Sequence, residues 1–304
     1  MKTLILFLFP LVLIAQQNIV EPFLPDVFSQ FPNVRDIAIL PGENEIYFSV
    51  QSYVDEVSFI ACLKRVNDKW LKPQIVNFSG KYFDIEPFLS TDGLKLYFAS
   101  NRPLKESESE PKDFDIWYVE RKSLSAEWSE PINIGSPINS DKDEFYPSIA
   151  NNSNFYFTCN ERSTKGKDDI FVSYWDAGKY SEPVSLSDSI NSDGYEFNAF
   201  VAPDESYIIF TAYQRNDGFG SGDLYISYKI SDSIWTKSKN LGREINTGRM
   251  DYCPFVDTNN NLYFTSKRTG INDPAKTLNS MQDFFNELNK YDNGLSRIYN
   301  TKMR

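Results

Sequence analysis

The chain has 304 residues, 42 of them acidic against 31 basic, for a formal net charge of −11. A chain this acidic repels phosphate backbones, which argues against a nucleic-acid partner. It contains no histidine, which excludes Ser-His-Asp and Cys-His catalysis and the common histidine-ligated zinc sites but leaves carboxylate chemistry open.

The chain opens with MKTLILFLFPLVLIAQQ. Lys2 gives a positive end, Leu4 to Ile14 form an apolar stretch and Ala15 is a small residue suited to cleavage. The stretch is too short to span a bilayer and reads as a secretory signal peptide over 1–15. No cysteine follows it before Cys62, so the expectation is a periplasmic or secreted protein with no lipid anchor. Residues 16–304 are expected to form one domain, since roughly 290 residues suffice for a sizeable core. The three cysteines, Cys62, Cys159 and Cys253, make an odd set at unrelated spacings and read as buried free thiols.

An apolar run then recurs as IYFSV at 46–50, LYFAS at 96–100, FYFTC at 155–159, IIFTA at 208–212 and LYFTS at 262–266. Its central residues Phe48, Phe98, Phe157, Phe210 and Phe264 are 50, 59, 53 and 54 apart, a period that signals a solenoid or propeller. Each unit resolves into four short strand-like segments. The first carries Pro87, Pro147, Ala199 or Pro254, followed by a polar turn such as STDG or PDES. The aromatic run is the second. The third reads DIWYVER, DIFVSY or DLYISY, and the fourth WSEPINIG or YSEPVSLS. Four strands per unit describe a propeller blade, and a single sheet cannot bury both its faces.

The expected fold is therefore all-β, a five-bladed β-propeller of four-stranded antiparallel blades. The blades are placed at about 36–80, 84–137, 144–189, 196–245 and 251–304. The last lacks a fourth strand, and residues 18–30 resemble the fourth-strand phrases, so the N-terminus is expected to supply it and close the ring. The alternative of six blades would need a sixth unit, and none is visible. Residues 274–290 carry Leu278, Met281, Phe285 and Leu288 at helical spacing. They predict a helical insertion in the last blade, with Asp273 as cap, Pro274 in the first turn and an apolar stripe packed on the propeller.

The long, variable connections between second and third strands share a face with the connections between blades, and binding is expected there. Acids open the first strands at Asp84 (with Glu86), Glu144, Glu196 and Asp251, with Asp36 near the same place. They are expected at the channel mouth, either as a ligand- or partner-binding ring or as acceptors within their own loops. Arginines follow the second strands at Arg102, Arg162, Arg215 and Arg268, and aspartates open the third at Asp115, Asp169 and Asp223. Arg102–Asp115, Arg162–Asp169 and Arg215–Asp223 are expected to pair as structural clamps. Asn139, Asn191 and Asn246, in a repeated IN[ST] phrase, are expected to shape turns. No metal site or cofactor is expected.

An acid, a proline, S-x-D-G, an aromatic run, S-x-R and D-I-[YW], clearest in DIEPFLSTDGLKLYFASNR followed by DIWYVE, resemble the WD40-like (PD40) repeat of TolB-type propellers. The resemblance extends, with decay, over the chain beyond residue 15. It implies an exported propeller in a Gram-negative envelope acting as a protein-binding platform. The chain departs from the TolB pattern in having no separate N-terminal α/β domain and five units instead of six.

Two functions follow as expectations. The first is a monomeric, non-catalytic propeller that holds an envelope protein or peptide on its loop face. The alternative is a carboxylate-based glycan-active enzyme, which needs two acids facing each other at about 5–10 Å, one with a raised pKa. Its acids would come from Asp84, Glu86, Glu144, Glu196 and Asp251, and its sugar platforms from Tyr82, Phe83, Tyr146 or Tyr195.

Overall fold

The structure is a computed structural model. It describes residues 19–303 other than 43, 106, 108–109, 161–164 and 272–276. The signal-peptide expectation lies outside these residues. Among the described residues no helix is long and apolar enough to cross a membrane.

The chain is all-β, built from antiparallel sheets that follow the repeat. In the first unit Asn33–Ile39 pairs with Glu45–Gln51, which pairs with Ser58–Val66, which pairs in turn with the short Gln74–Ile75. The next unit repeats the order with Asp84–Leu89, Lys95–Ser100, Asp115–Glu120 and Ile132–Asn133. Its successors begin at Glu144–Ile149 and Tyr195–Val201. The last runs Asp251–Val256, Asn261–Ser266 and Arg297–Lys302. The N-terminal Glu21–Pro22 pairs with Arg297–Lys302, Glu21 opposite Asn300 and Pro22 opposite Tyr299, so both ends of the chain share one sheet.

The aromatic runs occupy the second strands because their side chains are apolar on both faces. Phe48, Phe98, Phe157, Phe210 and Phe264 are all fully buried. Each core cluster joins two units: Phe98 and Trp117 pack with Ala38 and Tyr47, and Phe155 and Phe171 with Ile116. The cluster around Phe28 and Phe48 brings the first unit against Tyr263 and Ile298 of the last. The polar turns close as their residues dictate. Asp92 Oδ1 accepts from Leu94 N–H at 2.9 Å, and Asp204 Oδ1 from Ser206 N–H at 3.0 Å.

Two local expectations are corrected. The insertion forms a helix over Met281–Leu288, where Ser280 accepts from Asp283 N–H at 3.1 Å as its cap; Asp273 and Pro274 lie outside the described residues. Its apolar stripe does not pack on the sheets: Met281 is 66% and Phe285 49% exposed. The repeated asparagines do more than turn the chain. Asn139, Asn191 and Asn246 each accept from and donate to the backbone of one third-strand residue (Ile116, Ile170 and Leu224) at 2.8–3.0 Å. A side-chain amide presents the same donor and acceptor as a peptide group, so each stands in for a missing ladder partner.

Candidate functional site

The predicted acids Asp84, Glu144, Glu196 and Asp251 are fully buried and turn into their own loops. Glu196 accepts from the N–H and hydroxyl of Ser192, both at 2.7 Å; Asp251 does the same with Thr247 at 2.6 and 2.8 Å. Glu144 accepts from the N–H and hydroxyl of Ser140, and Asp84 accepts from Ser79 Oγ at 2.7 Å.

The arginines meet these acids and not the third-strand aspartates. Arg102 Nη2 bonds Asp84 at 2.7 Å, Arg215 bonds Glu196 at 2.8 Å and Arg268 bonds Asp251 at 3.3 Å. Arg162 lies outside the described residues. Each described guanidinium also stacks on two rings of its own sheet: Arg102 on Phe98 and Trp117, Arg215 on Phe210 and Tyr225, Arg268 on Phe264 and Tyr299. The second strand is the middle one, so its arginine can lie over either neighbour. A carbonyl of the preceding unit (Phe78, Ile190 or Ile245) accepts from the same guanidinium that meets the first-strand acid. Asp115, Asp169 and Asp223 instead tie the preceding loop to the fourth strand. Asp115 accepts from Lys112 and Asn133, Asp169 from Lys165 N–H and Ser185, and Asp223 from Phe219 N–H and Asn240.

The functional constellation sits two residues further along each first strand. Every first strand carries a bulge at the same register, between Arg35 and Ile37, Ile85 and Phe88, Phe145 and Ser148, Phe197 and Phe200, and Tyr252 and Phe255. Inside it one residue adopts positive φ: Asp36 (51°), Glu86 (61°), Tyr146 (49°), Asn198 (50°) and Cys253 (53°). Non-glycine residues held there cost on the order of 1 kcal/mol or more each and gather at functional sites. The bulges turn these five unlike residues into mutual contact on the inner strands.

Arg35 organises them. Its Nε donates to both carboxylate oxygens of Asp36 at 2.8 and 2.9 Å, and its Nη2 to Glu86 Oε1 at 2.8 Å. Glu86 Oε1 also accepts from Asn198 Nδ2 at 3.0 Å, and Oε2 accepts from Tyr146 N–H at 2.7 Å. Cys253 Sγ lies 3.5 Å from both Arg35 Nη2 and Asn198 Oδ1, and Tyr252 covers the guanidinium at 5.2 Å. One cation thus faces two carboxylates in a place that is nearly dry, leaving one negative charge unmatched. The burden falls on Glu86: burial first, and the nearby Asp36 charge, push its carboxyl up to about 7 against the pull of Arg35.

Of the residues the sequence singles out, Glu86, Asp36 and Tyr146 lie in this cluster, Tyr146 through its backbone N–H. The sequence does not assign Arg35, Asn198 or Cys253 to a site. A signal was present: the residue before the recurring Pro/Ala of the first strand reads Glu86, Tyr146, Asn198 and Cys253, a variable column in a constant frame. Among the described residues no group of three or more His, Cys, Asp or Glu could hold a metal ion. All three cysteines are buried thiols, and none forms a disulfide among the described residues.

Two pockets flank Tyr213 on the loop face. One, of about 550 Å³, is lined by Asp188, Asp193, Asn216, Asp217 and Lys237 among others. The second, of about 490 Å³, is lined by Arg249, Met250 and Lys267 among others. Met250 packs on the cluster of Tyr146, Tyr252 and Cys253, so the groove's inner end abuts the axial residues. Aromatic rings continue around this face as Phe83, Phe114 and Phe145 in edge and tilted contact, and Tyr195 against Tyr213. Tyr146 is no platform: it is buried, and its hydroxyl donates to Pro254 O at 2.9 Å.

No family model matches the sequence, and no curated protein matches it. Among solved structures it is similar to the catalytic domain of a GH62 α-L-arabinofuranosidase from Coprinopsis cinerea (TM-score 0.56, 9% identity, 94% of this chain and 96% of that one). It is similar also to the α-L-arabinofuranosidase PaAbf62A from Podospora anserina, solved with cellotriose (TM-score 0.55, 11% identity, 94% and 96%). TolB from Acinetobacter baumannii is a looser match at TM-score 0.48 and 11% identity, too loose to build on, and the chain spans about 55% of its length. At these identities the likeness speaks for fold: an all-β chain of antiparallel sheets of the propeller kind. The expectation of a non-catalytic protein-binding platform is corrected, because chains that share this fold over nearly their whole length are named as glycoside hydrolases.

Proposed function

We propose that the chain is a glycan-active enzyme on a closed five-bladed propeller, with Glu86 and Asp36 as its acid pair. The observation that carries the reading is the axial pair itself, two carboxylates from adjacent first strands held by one guanidinium, one of them keeping its proton to about pH 7. Ring closure is supported by the shared terminal sheet and by the core cluster that spans the first and last units. The Tyr213 groove and its aromatic rim suit a glycan, whose rings stack on aromatics and whose hydroxyls need polar partners.

In this reading the sugar meets Arg35 first, because its side chain is the most solvent-reached part of the cluster at 17% exposure. A sugar hydroxyl accepting from Arg35 replaces part of its hold on Glu86 and frees that carboxyl to protonate the glycosidic oxygen as the bond breaks. Asp36, held by both its oxygens on Arg35, faces the positive charge developing at the anomeric carbon. Two carboxylates on one guanidinium are near neighbours. That favours the close spacing, about 5–5.5 Å, at which the second acid attacks the anomeric carbon as the leaving oxygen departs with the proton of Glu86. Water, giving its proton to Glu86, then cleaves the sugar–Asp36 ester, and configuration is retained.

The test is hydrolysis of a panel containing arabinofuranosides, xylo-oligosaccharides and gluco-oligosaccharides, read as reducing-end release, with Glu86→Gln beside the wild type. The expected result is release by the wild type and a loss of at least about 100-fold in the variant, with sugar binding kept. Absence of release across the panel, or equal release by the variant, would reject the catalytic reading.

A further inference from the structure

The last unit reverses a charge that three of the others share. Where Asp115, Asp169 and Asp223 open the third strands of their units, Arg297 opens this one. It is 97% buried, being 3% exposed. Its Nη1 donates to Pro32 O at 2.7 Å and Ser296 O at 3.0 Å, and Tyr291 lies 5.8 Å beneath its plane. Its Nε is buried with no partner, and no carboxylate among the described residues pairs with it. Burial accordingly pulls the guanidinium below its ordinary value, with only tyrosines opposing. A buried cation without a counter-charge is costly, and an anion brought to it would offset that cost.

The opening is there. Arg297 lines a pocket of about 540 Å³ between the N-terminal segment and the end of the helix Met281–Leu288, together with Gln30, Phe31, Tyr53 and Lys290. None of the residues lining it is acidic, in a chain of net charge −11. Lys290 is already engaged with Glu287, so Arg297 is the cation left to be matched.

We propose that this pocket binds a small ligand through a carboxylate group, held by the guanidinium of Arg297 with Tyr53 at the rim. A guanidinium presents paired N–H donors to the two oxygens of a carboxylate, which a neutral group of the same size cannot match. The volume accommodates a single hexuronate or a short aliphatic acid. The site is separate from the axial acids and does not depend on any hydrolytic activity.

Calorimetric titration with D-glucuronate, propionate and D-glucose tests it, using the wild type and Arg297→Gln. Saturable binding of glucuronate but not glucose, weakened at least ten-fold in the variant, supports a uronate site. Binding of both acids, lost in the same variant, supports a site for simple carboxylates. A wild type that binds neither acid, or that binds glucose as tightly as glucuronate, overturns the proposal, as does an Arg297→Gln protein that binds unchanged. Should Arg297→Gln fail to fold, Arg297→Lys keeps the charge and loses the planar fork. A several-fold loss of glucuronate affinity is then expected, and undiminished binding would count against the proposal.

Discussion

Two sets of polar residues lie two positions apart on the same strands, and they behave in opposite ways. The outer set, Asp84, Glu144, Glu196 and Asp251, repeats one chemistry: an acid and a hydroxyl, joined by a loop N–H for Glu144, Glu196 and Asp251, and by an arginine stacked on aromatic rings for Asp84, Glu196 and Asp251. The inner set repeats one geometry, a bulge with positive φ, but fills it with Asp36, Glu86, Tyr146, Asn198 and Cys253. Constant chemistry in a repeat protein marks what each sheet needs to stand. Varied chemistry on a constant backbone marks where the sheets together do something no single one does.

The comparison is most sharply tested on the outer set. Glu196→Ala leaves the part-buried Arg215 beside an empty place and should cost about 3 kcal/mol, read as a large fall in Tm. Replacing both Glu196 and Arg215 by apolar residues should cost less than either single change, because no unmatched charge remains. An outer acid that could be removed without loss of stability would break the distinction between the two sets.

A smaller effect is expected from pH. Glu86 keeps its proton to about pH 7 in the fold, against an ordinary 4.5. A raised carboxyl contributes stability that is complete below its unfolded value and is lost as pH rises through its folded one. Stability should therefore fall between about pH 4.5 and 7, by an amount on the order of 1–3 kcal/mol for this group, read as a falling Tm. Glu144, pushed up to about 7, and Asp168, to about 6, act in the same sense. The difference between the wild type and Glu86→Gln isolates the axial contribution, and parallel curves would refute it. Smaller still, Asn198→Ala removes one donor to Glu86 and should cost about 1 kcal/mol, with hydrolysis reduced more than Tm.

The repeat made the sheets legible. Residues such as Phe98 and Phe210 announce a strand buried on both faces, and the missing fourth strand of the last unit pointed to Glu21–Pro22. The clamp partners were less legible, because sequence order sets two acids within reach of Arg102 and Arg215, and the carbonyls that share each guanidinium with its acid come from the preceding unit. One anomaly held the answer. Arg268 persists where the third-strand aspartate is replaced by Arg297, so its partner had to be Asp251. The first unit agrees, having Val34 at the acid's place and no arginine after its second strand. The axial cluster was hardest to read, since its members are unlike one another and meet only through bulges that no local residue pattern demands. The exposure of the helix Met281–Leu288 was equally hidden, because an apolar stripe does not say what covers it.

The central claim is that the axial acid pair acts on a glycosidic bond. Its most direct test is the proton NMR spectrum of the sugar released from the best substrate in the panel, followed from the first minutes of reaction. Initial release of product with the substrate's own anomeric configuration, abolished by Glu86→Gln and by Asp36→Asn alike, is the predicted result. Release that persists in either variant would show that the pair held by Arg35 is not the site of chemistry.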